Sequence, residues 1–214
     1  MATKKTDNHN LKAKLDLRRY FLRKYHAGGP IHVLDCCQGS GRIWHHLRGE
    51  FDVTSYWGVD QKRKAGRLRM DSSRILEQPG WPQNVVDIDT YGSPWRHWLA
   101  MLPNVTHPTT VFLTLGWTPT NRNLSGNSLG SQFIGLPEKT PQVIAAEVFK
   151  KIGVKSVLAR CCVYGIKIVE AVEAVEAGAR YFGVRLEPAK TNGEQLLPAR
   201  RPKHSLTVGG STNV

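Results

Sequence analysis

The chain has 214 residues, a formal net charge of +13 and a sequence pI near 9.9. That length holds one domain with or without tails and is enough to bury a proper core. So basic a balance is high for a protein that handles only small molecules, and it points to a polyanionic partner. No hydrophobic run is long enough to span a membrane and no signal peptide opens the chain, so a cytoplasmic protein is expected.

Basic residues gather early, at Lys4, Lys5, Lys12, Lys14, Arg18, Arg19, Arg23 and Lys24. The spacing predicts a helix over 10–25, with Leu11, Leu15, Tyr20 and Leu22 available for packing. Residues 1–29 read as a basic helical extension, 30–186 as the main domain and 187–214 as a flexible basic tail.

The segment Ile31-His-Val-Leu-Asp35 reads as a buried strand that ends at an acid. It runs through Cys36-Cys37-Gln38 into Gly39-Ser40-Gly41, which opens a helix over 40–50. Glycine permits the sharp turn such a junction needs, and the helix N-terminus presents free N–H groups above the strand. A dinucleotide pyrophosphate would suit that place, but the full Gly-x-Gly-x-x-Gly spacing is absent. Cys37 stands where the first glycine would be and Trp44 where the third would be. Taken alone, the turn is equally a plain strand-to-helix connection.

A second strand over 55–60 ends at Asp60, placed where nucleotide-binding α/β folds hold a ribose. A short strand over 67–72 brings Asp71, whose carboxylate could accept from an adenine amino group. About ten residues separate these two acids, too few for a full helix and another strand. Either the intervening helix is reduced to a turn or Asp71 lies off the third strand. The basic run Lys62-Arg63-Lys64, with Arg67, Arg69 and Arg74, falls in this stretch and would lie near a bound polyanion.

The next buried strand, over 85–89, carries Asp87 and Asp89 and leads into Thr90-Tyr91-Gly92-Ser93-Pro94. A carboxylate at Asp89 could accept an N–H from an exocyclic amine and orient its lone pair, while Tyr91 stacks on the base. Alternatively both acids cap the helix that Pro94 begins, over 94–102. Residues 109–115 form an apolar strand of the buried parallel kind. Residues 116–137, rich in Gly, Asn, Ser and Thr, read as a long loop, either a substrate lid or disordered. Helices are expected over 141–152 and 154–176, the second ending in a Val-Glu-Ala repeat and stopped by Gly178. A closing strand is expected over 179–186.

The cysteines fall as two neighbouring pairs, Cys36-Cys37 and Cys161-Cys162, with no Cys-x-x-Cys spacing, and read as reduced core thiols. His45, His46 and His97 lack ligand spacing, so no metal is expected. The fold class is α/β: a Rossmann-like, mostly parallel sheet with flanking helices.

In their order, the strand-end acids and glycines of residues 31–117 resemble the class I S-adenosylmethionine-dependent methyltransferases. The resemblance implies S-adenosyl-L-methionine as cofactor. Asp35, Gly39, Ser40 and Gly41 would line its methionine side, Asp60 would hold the ribose, and Asp71 with Ser72 the adenine edge, with Asp87 also in the cofactor set. The segment Asp87-Ile-Asp89-Thr-Tyr91-Gly92-Ser-Pro94 is similar to the Asp-x-Asp-Pro-Phe/Tyr-Gly-Ser-Pro motif of tRNA guanine-N2 dimethyltransferases. It is also related to the Asp/Asn-Pro-Pro-Tyr/Phe motif of enzymes that methylate base amines. That likeness implies Asp89 and Tyr91 as catalytic, and Gly92, Pro94, Lys62, Arg63 and Lys64 as substrate-binding. The departure is Thr90, where that family has the rigid φ of proline.

The implied activity is methyl transfer to an exocyclic amine of a nucleic-acid base, RNA ahead of DNA. Methylation of a small-molecule or protein amine is an alternative, as is an inactive nucleic-acid-binding protein that keeps the fold. No dedicated recognition domain is expected from this sequence, so target choice would rest on the loop, the tails or a partner; the oligomeric state stays open.

Overall fold

The computed structural model describes residues 10–62, 68–90, 92–116, 137, 140, 141, 143, 144, 148–176 and 179–189. Strands and helices alternate in the order α1 (Leu11–Tyr25), β1 (His32–Asp35), α2 (Arg42–Arg48), β2 (Ser55–Asp60), β3 (Leu68–Arg69), α3 (Ser72–Leu76), β4 (Val85–Ile88), α4 (Trp95–Met101) and β5 (Thr109–Leu115). A second group follows as α5 (Val154–Ala159), β6 (Ile166–Glu176) and β7 (Ala179–Pro188). The seven strands form one sheet in the order β3-β2-β1-β4-β5-β7-β6. The first five are parallel, and β7 runs antiparallel to β5 and β6.

The apolar runs explain which strands lie central. All seven residues of β5 and all four of β4 are buried, as a parallel strand covered by helices on both faces must be. One face carries a cluster built on Leu34, Val86, Leu113 and Val184 with Trp95, Trp98 and Leu158 from the helices. The opposite face carries Val33, Val85, Phe112 and Tyr181 under Phe21 and Leu22 of α1 and Trp44 and Leu47 of α2. The result is a three-layer sandwich whose strand carboxyl ends are left for a ligand.

α1 packs through Leu15, Leu17, Phe21 and Leu22, whereas Tyr20, expected in the packed face, is 43% exposed. Its seat on the sheet depends on one glycine. A Cβ on Gly183 of β7 would stand 2.3 Å from Cε2 of Phe21, so only the bare backbone lets that ring lie flat against the strand. The same ring meets Phe112 edge-on, with centroids 5.9 Å apart.

The helix expected over 154–176 is not one helix. Helical structure ends with a 3-10 stretch at Tyr164, Gly165 turns in the left-handed region (φ 66°), and Ile166–Glu176 is a strand paired with β7 along its length. The Val-Glu-Ala repeat favours helix by composition. The branched residues of the segment (Ile166, Ile168, Val169, Val172 and Val175) suit a strand instead, and ladder pairing with a neighbour overrides local periodicity. A register shift between Ile168 and Glu170 turns the strand over. Before it Ile168 packs with the α4 and α5 layer, and after it Val172 and Ala174 pack under α1.

β3 pairs with β2 over only two positions, Val59 with Leu68 and Asp60 with Arg69. Asp71 lies beyond this short strand, at the N-cap of α3. Of the expected loop and helix over 116–152, most residues lie outside the described ones, as does Gly178. Among the described residues no helix is long and apolar enough to cross a membrane, and no cluster of His, Cys, Asp or Glu could hold a metal ion. Cys36 and Cys161 are buried free thiols, while Cys162, read as a core thiol, is exposed.

Candidate active site at the strand carboxyl ends

The turn after β1 is shaped by its glycines. Gly39 and Gly41 have φ of 53° and 70°, a conformation that side chains disfavour, and Gly41 caps the N-terminus of α2. The Gly39 N–H donates to Asp60 Oδ2 at 3.0 Å, and the Lys62 N–H to Asp60 Oδ1 at 2.8 Å. Asp60 therefore ties the first turn to the second, while Ser40 stands exposed above them. Gln38, absent from the sequence expectations, lies across Gly58 of β2. A Cβ there would meet its Cδ at 2.6 Å, and its Oε1 is buried with no hydrogen-bond partner among the described residues. An orphaned acceptor between two strand ends is what a site built for a polar ligand leaves when described alone.

Beneath the turn lies a buried charge cluster. Arg18 grips Asp87 with two bonds, Nε to Oδ2 at 2.8 Å and Nη2 to Oδ1 at 2.6 Å, and Trp44 Nε1 donates to Oδ2 at 2.8 Å. One turn earlier on α1, Lys14 Nζ donates to both oxygens of Asp89, at 2.8 and 2.7 Å. The pairs are almost sealed from solvent, with side chains 2% and 1% exposed for Arg18 and Asp87, and 7% and 16% for Lys14 and Asp89. Asp87, expected to touch cofactor, thus spends its carboxylate on the helix above the sheet.

Asp35 is the third acid of the cluster and pairs with no cation among the described residues. Tyr56 Oη donates to its Oδ2 at 2.8 Å and the Cys37 N–H to its Oδ1 at 3.3 Å. Burial, reinforced by the charge of Asp87, pushes its carboxyl up to about 8 despite the Tyr56 bond. Burial also opposes the charge of Asp89, but Lys14 and Arg18 outweigh it and hold that carboxyl below the ordinary carboxylate range. Three carboxylates facing two cations leave one negative charge in excess, and the proton rests on the acid that no cation pairs.

Neither Asp87 nor Asp89 caps α4, whose N-cap Pro94 lacks any side-chain cap bond. Thr90 Oγ1 donates to the Thr114 carbonyl at 3.4 Å, and Gly116 N–H to the Gly92 carbonyl at 2.8 Å, so the segment after β4 is laced to the end of β5. Asp71 accepts from the Ser73 N–H at 3.1 Å and Ser73 Oγ at 2.8 Å, and Arg96 reaches it at 3.3 Å. Ser72 Oγ donates to the Cys36 carbonyl at 2.7 Å and lies 2.9 Å from His97 Nε2. Burial holds that imidazole below its ordinary pKa, and its Nδ1 is buried without a partner. Tyr91, Arg63 and Lys64 lie outside the described residues; Lys62 is exposed beside Asp60.

The structure therefore gathers Asp35, Gly39, Asp60, Asp87 and Asp89 at the ends of β1, β2 and β4, and places Asp71 and Ser72 at the head of α3. The early basic run is only partly surface. Lys14 and Arg18 point into the core, Arg19 binds Glu50 and Asp16, and Lys24 binds Glu170. The signal for the first two was in the sequence. Lys14, Arg18, Phe21, Leu22 and Tyr25 follow one helical stripe, and cations on an apolar stripe need buried acids.

Five parallel strands closed by an antiparallel seventh between the fifth and sixth, with acids at the carboxyl ends of β1, β2 and β4, make up the class I methyltransferase fold. No protein-family model and no curated protein sequence matches the chain. Among solved structures it resembles the complex of Trm1 from Pyrococcus horikoshii with S-adenosyl-L-methionine, with a TM-score of 0.63 at 15% identity. That match covers 86% of this chain and 57% of the other, so the chain spans little more than half of that protein's length. Weaker likenesses include TrmN from Thermus thermophilus, at a TM-score of 0.48 and 16% identity over 81% of this chain and 48% of that one.

Proposed function

We propose that this protein is an S-adenosylmethionine-dependent N-methyltransferase acting on an exocyclic amine of a nucleic-acid base, with RNA ahead of DNA. The observation that carries the reading is Asp89, an ionised carboxylate fixed at the end of β4 beside the glycine turn of β1. The site suits the cofactor on its own chemistry. The Gly39–Gly41 turn leaves room for close backbone approach, Asp60 can accept from ribose hydroxyls, and Gln38 offers an unsatisfied acceptor. Asp71 and Ser72 would border the adenine edge, and Asp35 the methionine side.

Bound there, S-adenosylmethionine supplies an electrophilic methyl group on a sulfonium. The protein's part is to hold the acceptor nitrogen. Asp89 would accept one N–H of the amine, turning its remaining lone pair toward the donor, and could do so because Lys14 leaves each oxygen further lone-pair capacity. Tyr91 would stack on the base. Thr90 replaces the rigidity of a proline with its bond to the Thr114 carbonyl. Asp87 would act at one remove, by seating the helix that carries Lys14.

The likeness to Trm1 supports this reading, as does the sequence motif around Asp89. The test is titration with S-adenosylmethionine and its demethylated product, followed by labelled methyl transfer to tRNA, rRNA and DNA. Asp60→Ala should weaken cofactor binding at least tenfold, and Asp89→Ala should abolish transfer while sparing binding. Absence of binding to either cofactor form in the wild type sinks the proposal.

A further inference from the structure

An open groove of about 1020 Å³ lies on the α3 side of the β2–β3 edge and meets the candidate cofactor site at Asp71. It exists because α3 has only five residues and cannot cover the outer strands, which leaves Trp57 37% exposed on the face of β2. Trp57 and Trp81 both line it, and Trp81 is held edge-on against His107 with centroids 5.4 Å apart. Arg69 and Arg74 line it too, both exposed and neither in an ion pair among the described residues. Asp71, the acid within it, is already taken by Ser73 and Arg96. Gln61 carries the groove up to Asp60 and the candidate cofactor site.

We infer that this groove binds single-stranded RNA flanking the acceptor nucleotide, with Trp57 stacking on a base and Arg69 and Arg74 contacting phosphates. The inference rests on the proposed function, whose RNA substrate it furnishes with a path. Two unpaired arginines with no unpaired acid are complementary to a polyanion, and an exposed indole beside them is the sequence-tolerant platform of single-strand binders. The volume lies at the upper limit of what one small ligand fills, about 300–1,000 Å³. Most cations of α1 are paired with acids, whereas Arg69 and Arg74 are in no ion pair among the described residues.

The experiment measures binding of a short labelled single-stranded RNA of mixed sequence across a salt series, with a matching DNA in parallel and S-adenosylmethionine titrated into every variant. Trp57→Ala should weaken RNA binding by about five- to a hundredfold, and Trp57→Phe, which keeps a ring, should recover most of it. Arg69→Gln with Arg74→Gln should make the salt slope shallower by about 1.4. Cofactor affinity should stay at the wild-type value throughout. Variants that bind RNA as the wild type does overturn the groove alone, and loss of cofactor binding in step with RNA assigns the groove to the cofactor site instead. A wild type that binds DNA but not RNA overturns the choice of RNA. One that binds cofactor but no nucleic acid overturns the groove together with the RNA reading.

Discussion

Lys14 Nζ sits between the two carboxylate oxygens of Asp89, joining the first helix to the end of the fourth strand across 75 residues of chain. This contact decides the charge and the aim of the acid on which the proposed chemistry depends. Lys14→Met should lower methyl transfer by about ten- to a hundredfold and move the acidic limb of the pH–rate profile upward, because an uncompensated buried carboxylate protonates more readily. Lys14→Arg should restore part of the loss. Faster transfer in Lys14→Met would mean that the ion pair obstructs the acceptor rather than preparing the site.

Arg18 and Asp87 form the deeper pair, and breaking it from one side leaves a charge with no water. Arg18→Met should cost about 3–5 kcal/mol, seen as a fall in Tm of about 2–4 °C per kcal/mol. Arg18→Met combined with Asp87→Leu should recover more than half of that loss, since removing both charges removes the desolvation penalty as well. A double variant as unstable as the single one would show that the network's geometry, not its charge, holds α1.

Gly183 controls the same helix from below. In Gly183→Ala the new methyl would stand 2.3 Å from the Phe21 ring, so α1 must lift. Overpacking of this kind costs about 1–3 kcal/mol, and because Lys14 and Arg18 ride on the helix, activity should fall with stability. Phe21→Leu added to Gly183→Ala should restore part of both. Unchanged Tm in Gly183→Ala would count against the close approach.

Gly58 gives a cleaner split. A methyl there meets only the end of the Gln38 side chain, which can swing away at little cost to stability. Gly58→Ala should change stability by under about 1 kcal/mol, as most substitutions without a packed neighbour do, yet weaken S-adenosylmethionine binding severalfold by displacing Gln38. Calorimetric titration beside thermal unfolding separates the two effects; a large loss of stability with unaltered binding would refute this role for Gln38.

The two outer acids make opposite contributions to stability against pH. Asp89 is depressed below its ordinary value of 3.8, so it stabilises the fold above that pH, and this is lost as pH falls through its lower folded value. Asp35 is raised from 3.8 to about 8, so the folded state binds the extra proton and stability declines as pH rises between those values. Asp35→Asn, which mimics the protonated acid, should remove that decline. Thermal unfolding from pH 5 to 9 should show the variant gaining on the wild type as pH rises, and parallel curves would place the proton elsewhere.

The parallel half of the sheet is legible in local pattern. Strands over 31–35, 55–60, 85–89 and 109–115, each closed by polar or glycine turns, carry their own local pattern, and the acids that end the first three follow from the same signals. Tertiary structure alone decided the rest. Whether Ile166–Glu176 became helix or strand turned on β7 lying alongside, because pairing energy comes from a neighbour that local periodicity does not contain. The partners of Asp87 and Asp89 likewise came from a helix some seventy residues earlier, and its basic stripe looked like surface until burial required each cation to meet an acid. The groove beside Trp57 arose the same way, from a helix too short to cover the strands beneath it.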